Sequence, residues 1–215
     1  PALWLVPRCR SLPDVALSEQ EQAWADALPD ARCVQFRWSR LWMRALLSSL
    51  LEVSPAALPL VAPPGQPSEL ADARGFVSLS HCTDALVVAW APWRIGVDLE
   101  RTDRALPASA LVKRFFCAQE RDALLLMDDT RQREAVLEHW LLKEAAIKWQ
   151  RGSLSRDLSH WCCQTECSVV AHRVSGAALQ AQCWRQADWS LALVSDPQEM
   201  GNGANSMHQA LLCLA

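Results

Sequence analysis

An α+β fold is predicted for this chain. In each half, segments with apolar residues at helical spacing are followed by segments that alternate or run apolar like strands, and no apolar run approaches the roughly 18 to 20 residues of a membrane span. The length of 215 residues allows one large domain or two small ones, at about 100 to 200 residues per domain. With 51% hydrophobic and 21% charged residues, bulk disorder is excluded and a real core is affordable.

The elements follow in chain order. Ser18 and Glu21 have capping-box spacing and open a short helix over Ser18 to Leu28. Leu41, Trp42, Ala45, Leu46 and Leu50 share a helical stripe, which predicts a helix from about Ser39 to Leu51, stopping before Ser54-Pro55. Pro59, Pro63, Pro64, Gly65 and Pro67 then make a turn-rich surface connector. FVSLSH (76–81) and ALVVAWA (85–91) read as strands, and Ala91-Pro92-Trp93 as a hairpin turn into RIGVDLE (94–100). In that last strand Ile95, Val97 and Leu99 fall on one face and Gly96, Asp98 and Glu100 on the other. Helices are expected from Ala108 to Phe116, from Ala118 to Met127, and from Asp129 to about Gln150, the last with Asp129 and Gln132 at capping-box spacing. Strand-like segments return around Cys162 to His172 and Ser190 to Val194. From Ser195 a flexible tail is expected, with a short helix at Met207 to Leu214. No sequence repeat of fixed period is present.

The formal net charge of −3 gives no global positive field for nucleic acid or an anionic membrane, so anion binding has to be local. Such a local patch exists: Arg32, Arg37, Arg40 and Arg44 fall between Ala31 and Arg44 without an acid among them. Arginines interleaved with Phe36, Trp38 and Trp42 also fit a single-stranded nucleic-acid surface, but aromatics at helical spacing belong more often to a core. Only three of the 21 basic residues are lysines, Lys113, Lys143 and Lys148. The nine cysteines are odd in number, spread along the chain and without a signal peptide before them, so no disulfide framework is expected and a reducing cytoplasm fits best. Cys162, Cys163, Cys167, His160 and His172 lack the paired spacing of a zinc site.

The chemistry-bearing residues lie in two places. Asp98 and Glu100 project from one strand face, roughly 6 to 7 Å apart at about 3.3 Å rise per residue, a separation that suits one hard cation between them. Glu144 and Lys148 are one turn apart on the long helix, and Trp140 lies one turn earlier. If helix and strand cross, Glu144 becomes a third oxygen ligand. Three carboxylates without His or Cys favour Mg2+ over zinc, with substrate phosphates completing its shell. Singly, these fragments are ordinary: a Glu to Lys pair at i, i+4 is an exposed ion pair worth about 0.2 to 0.5 kcal/mol.

Together they resemble the paired signature of the 4'-phosphopantetheinyl transferases. The strand RIGVDLE, forty-one intervening residues between Asp98 and Trp140, and the helix WLLKEAAIK (140–148) are similar to that family's (I/V)G(I/V)D(I/L)E and W-x-x-K-E-(A/S)-x-x-K motifs. SLSH (78–81), PPGQP (63–67), SRLWMRALL (39–47) and RFFCAQE (114–120) extend the resemblance over roughly residues 36 to 155. The length resembles the surfactin-synthetase-activating type, in which two related halves are fused. The resemblance implies a pseudo-twofold pair of α+β subdomains with the site in the cleft between them: 1–94 for coenzyme A phosphate binding, 95–195 for metal and catalysis, and 196–215 as a tail. It implies transfer of phosphopantetheine from coenzyme A to a serine of an apo acyl or peptidyl carrier protein, by a monomeric cytoplasmic enzyme of fatty acid, polyketide or nonribosomal peptide synthesis that needs neither nucleic acid nor membrane. Asp98, Glu100 and Glu144 would hold Mg2+ or Mn2+; Glu144, Lys148 and Asp98 would be catalytic; Arg40, Arg44, Ser80, His81 and Lys148 would bind coenzyme A.

The sequence departs from the family pattern at particular points. Gln66 stands where the family has Lys in its GKP loop, Leu141 follows the tryptophan where a small residue is usual, and Cys117 replaces the serine of the F-S-x-x-E turn. The glycine-rich stretch after the helix is reduced to Arg151-Gly152-Ser153. An acidic carrier protein implies a docking surface of positive and apolar side chains, for which Lys113, Arg114 and Arg121 with Leu111, Leu124 and Leu125 are the candidates. The alternative is a non-catalytic module of the same fold that binds coenzyme A or a carrier protein.

Overall fold

The computed structural model describes residues 1–164, 168–197 and 211–213. Its first half runs β1 (Ala2–Pro7), α1 (Glu19–Asp26), α2 (Asp30–Leu50), a 3-10 turn (Pro55–Ala57), β2 (Leu60–Val61), β3 (Glu69–Leu70), β4 (Phe76–His81) and β5 (Ala85–Ala91). The second runs β6 (Ile95–Arg101), α3 (Ala108–Phe115), α4 (Ala118–Leu124), α5 (Asp129–Gln150), α6 (Leu154–Asp157), β7 (Trp161–Gln164), β8 (Val169–His172), β9 (Ala178–Gln186) and β10 (Trp189–Ser195), with β11 (Leu211–Cys213) after it.

Two sheets form the centre, ordered β11-β1-β5-β4 and β6-β10-β9-β8-β7. In each, the first strand of that half pairs antiparallel with the last, and the last with the strand before it: β1 with β5 and β5 with β4, β6 with β10 and β10 with β9. The alternation of the strands builds the layers. Leu3 and Leu5, Val87 and Ala89, Ile95, Val97 and Leu99, and Leu191 and Leu193 face one another as a core shared by both sheets. The opposite faces are covered by one long helix each. Met43 and Leu47 of α2 lie on Trp4, Val6, Leu86 and Val88, whereas Leu141, Leu142 and Ala145 of α5 lie on Ala181, Ala192 and Val194.

Several expectations need correction. Residues 91–93 are not a hairpin turn, because β5 and β6 belong to different sheets; the three residues carry the chain from one sheet to the other. The helix expected from Ser39 begins at Asp30, just after Pro29; its first two turns are too polar for an apolar stripe to reveal them, and Asp30 suits the positive N-terminal end. The cap of α5 is Asp128, whose carboxylate accepts from Arg131 N, while Gln132 is buried and holds Ser109 and Leu124 O. Strands β1 and β9 are not among the expected elements, and where the tail helix is expected residues 211–213 form a strand parallel to β1; the remainder of that expectation lies outside the described residues. Cys117 and Cys162 are joined as a disulfide; Glu120 of α4 accepts both Cys117 N and Cys163 N of β7, which brings the two cysteines together in a way that spacing along the chain does not show. Among the described residues no helix is long and apolar enough to cross a membrane.

Candidate active site

The site forms where the free edges of the two sheets meet, β4 closing one and β6 the other. Ser78 Oγ accepts the Val97 N–H at 3.1 Å and Ser80 Oγ donates to Asp98 Oδ1 at 2.6 Å, so two serines of β4 pin the backbone and the acid of β6. The other fixed point is Gly96. A Cβ there would collide with the Ala145 carbonyl and lie 2.8 Å from Trp149 N, which means that α5 crosses β6 in direct backbone contact and glycine is required by the approach itself. The strand's carboxylates are thereby placed beneath the helix that carries Glu144 and Lys148.

Lys148 Nζ donates to Asp98 Oδ1 at 2.7 Å, with Asp98 buried and the lysine side chain about a third exposed at 31%. Glu144 is pushed up to about 7 by burial and by the Asp98 carboxylate, against the opposing pull of Lys148. A buried carboxylate whose charge is disfavoured by a second one nearby is a site that a cation would relieve. Glu100 is not part of that pair in this structure: its carboxylate is ion-paired with Arg104 and accepts Arg101 N. Asp98, Glu100 and Glu144 therefore do not bring one oxygen each within 4.8 Å of one another; among the described residues, the sets whose ligand atoms, of sulfur, nitrogen or oxygen, lie that close are Cys117, Glu120 and Cys162, and Glu120, His139 and Cys163. The all-oxygen donor set and the mutual repulsion of Asp98 and Glu144 nevertheless fit a hard cation such as Mg2+ better than zinc.

Glu144 and Lys148 open onto a cleft of about 420 Å³ whose other wall is the turn from Gly65 to Ser68 and β4 residues Val77 to Leu79. Residues 94–200 match the family model of the 4'-phosphopantetheinyl transferase superfamily. That stretch, just under half of the chain, is similar to a domain of the superfamily. The match spans β6 to β10 and so contains Asp98, Glu100, Glu144 and Lys148; the family implies a transferase of the phosphopantetheinyl type. No curated protein matches the chain.

Outside the matched residues lies a second cleft of about 180 Å³, lined by Arg32, Gln35, Arg40 and His81 and sharing Gly65, Gln66 and Leu79 with the first. Arg40 is buried, donates twice to Ala62 O at 2.7 and 3.0 Å, and stacks on Phe36 at 4.4 Å. Burial lowers it to about 10, which leaves it charged at neutral pH. His81 reaches solvent, with Nδ1 3.0 Å from Gln35 Nε2; the surrounding protein, then Lys148 and Arg40, hold it below the ordinary histidine value. Arg44 lines neither cleft. Its Nε lies 2.5 Å from Glu21 and its Nη1 reaches Pro55 O, all of it buried, so its expected role at a phosphate is replaced by tying α1 to α2. Arg37 is likewise paired, with Asp26 at 2.7 Å. Of the expected docking residues, Lys113, Arg114 and Leu125 are exposed, but Leu124 is core.

A further pair went unassigned at the level of sequence. Lys143 is fully buried and donates to Glu120 Oε2 at 2.8 Å and to Trp161 O. Glu120 also accepts Cys117 N at 2.9 Å and Cys163 N at 2.8 Å. Burial alone would raise Glu120, but hydrogen bonding from His139, the Lys143 ammonium and the Cys163 N–H hold it at about 2. The signal was present in the rarity of lysine and in the Cys117-x-x-Glu120 spacing. What it lacked was the fold that places them together behind α5.

Proposed function

We propose that this protein transfers the 4'-phosphopantetheine group from coenzyme A to a serine hydroxyl of an apo acyl or peptidyl carrier protein, releasing adenosine 3',5'-bisphosphate. The observation that carries the reading is that Glu144 and Lys148 line one cleft while Lys148 is ion-paired with the buried Asp98, with Glu144 pushed up to about 7 by burial and by Asp98. Mg2+ (or Mn2+), held by Asp98 and Glu144 with Glu100, would neutralise the pyrophosphate and polarise the phosphorus under attack. Glu144 then accepts the serine proton as general base, directly or through a water. The serine oxygen bonds to phosphorus as the bond to the departing bisphosphate breaks. Lys148 donates to phosphoryl oxygens as their charge grows, and Ser80 keeps Asp98 aimed. Arg40 and His81 hold the 3'-phosphate in the smaller cleft. The same pairing order in both sheets supports two related subdomains, 1–94 and 95–195, with the site between them, although residues 211–213 return to the first sheet beside β1; the enzyme is read as a monomer.

The test is addition of the protein to coenzyme A, Mg2+ and apo carrier proteins, with mass spectrometry of the carriers. One phosphopantetheine should be gained per carrier, and the gain should vanish with Glu144→Gln. No gain on any of several carriers, with coenzyme A still bound, would leave the non-catalytic binding module as the function.

A further inference from the structure

Arg151 ends α5 in the left-handed region, with φ 59° and ψ 36°. This is a conformation that glycine or asparagine adopts at helix ends and that other residues occupy at a cost. The backbone there is held by Arg151 N to Lys148 O and Gly152 N to Ile147 O, at 3.1 and 2.9 Å, which would serve a glycine equally well. Non-glycine residues held in this conformation cluster at ligand-binding sites. Arg151 lines the 420 Å³ cleft together with Lys148, Glu144 and Gln66, and its guanidinium is ion-paired with Glu69 of β3, next to the lining residue Ser68.

The two cations of this cleft differ in how firmly they are held. Lys148 is bound to a buried carboxylate, whereas Arg151 and Glu69 are 38% and 53% exposed in their side chains. An exposed pair of this kind contributes little net stability and exchanges partners readily. A planar guanidinium with several donors suits phosphate oxygens.

We propose that Arg151 is a phosphate-binding residue of this cleft, with Glu69 as the anion that occupies it until a phosphate diester or pyrophosphate arrives. This rests on the reading of the cleft as a coenzyme A site, and it assigns Arg151 to the pyrophosphate rather than to the 3'-phosphate. When the ligand binds, the guanidinium leaves Glu69, and the link between the 65–70 segment and the end of α5 passes through the ligand.

Binding constants decide it, measured by calorimetry on the full chain with coenzyme A, dephospho-coenzyme A and inorganic pyrophosphate. Arg151→Gly fits the left-handed backbone, so the fold is retained and its thermal midpoint is not lowered. It should weaken coenzyme A and dephospho-coenzyme A alike by about tenfold, the loss of one charged hydrogen-bonded contact. Glu69→Gln should tighten both by about two- to fivefold, the scale of an exposed ion pair, and should tighten nothing when Arg151 is already glycine. Arg151→Gly binding all three ligands as the wild type does would overturn the proposal, as would a loss confined to ligands with the 3'-phosphate. If the wild type bound pyrophosphate through Arg151 but not coenzyme A, the phosphate assignment would stand and the transferase reading would fail.

Discussion

Removing the Lys143 ammonium is the most informative single perturbation of this fold. Lys143→Met keeps most of the side-chain volume but leaves Glu120 buried, with two backbone N–H groups and His139 in place of four partners. Truncating one member of a buried pair costs about 3 to 5 kcal/mol, because the remaining charge is uncompensated. The depression of Glu120 to about 2 from an ordinary 4.5 corresponds to about 3 kcal/mol at neutral pH, net of the desolvation that opposes its partners. Against a typical domain stability of about 5 to 15 kcal/mol, that loss is large. Urea unfolding followed by tryptophan fluorescence reads it as a lowered midpoint at unchanged slope. The Glu120→Gln/Lys143→Met double variant should be less destabilised than the two single changes summed, by about 2 kcal/mol. Because the Glu120 value is depressed on folding, its contribution is complete above about 4.5 and is lost as the pH falls from there towards about 2; Glu120→Gln should lack that acid limb. A cost below about 1 kcal/mol for Lys143→Met, with the slope unchanged, would refute the assignment of the pair as a keystone beneath α5.

Other outcomes follow from the same geometry. Gly96→Ala should cost about 2 kcal/mol or more and abolish transfer, since the clash is with helix backbone that cannot move aside without α5 itself moving; unfolding and carrier loading measured on one preparation check both. Glu144→Gln should reduce transfer by about 100-fold or more while shifting the urea midpoint little, because the carboxyl is held at about 7 and is already partly neutral. Arg44→Met should destabilise the protein by about 3 to 5 kcal/mol through stranded Glu21 and leave coenzyme A affinity unchanged in the folded fraction. Arg40→Met should instead weaken coenzyme A by about tenfold, and equal effects of the two on binding would contradict their separation into core and cleft.

RIGVDLE could be recognised as a strand, and 129–150 as a helix, from residues two and three or four positions apart, and that local order is enough to bring Asp98, Glu144 and Lys148 forward as candidates. The capping box at Ser18 was legible for the same reason and is formed, with Ser18 N donating to Glu21 at 2.9 Å. Arg44 shows where such reading stops. Helical position fixed its distance from Arg40 along α2, but its rotation towards Glu21, twenty-three residues earlier, depends on α1 packing there. The same holds for Glu100, which is paired with Arg104, for Cys117 and Cys162, and for the chain at 91–93, where the strands looked adjacent but belong to separate sheets.

The sequence by itself determined which segments alternate, which residues carry charge and how far apart the two signature segments lie, because these are properties of short stretches of backbone geometry. The tertiary structure decided which sheet edges meet, which carboxylate shares its lysine, and which arginine faces a cleft and which a buried glutamate. Those choices are made by burial between elements distant in the chain, where a charged group must find a partner or remain in water, and the partner is set only when the layers close.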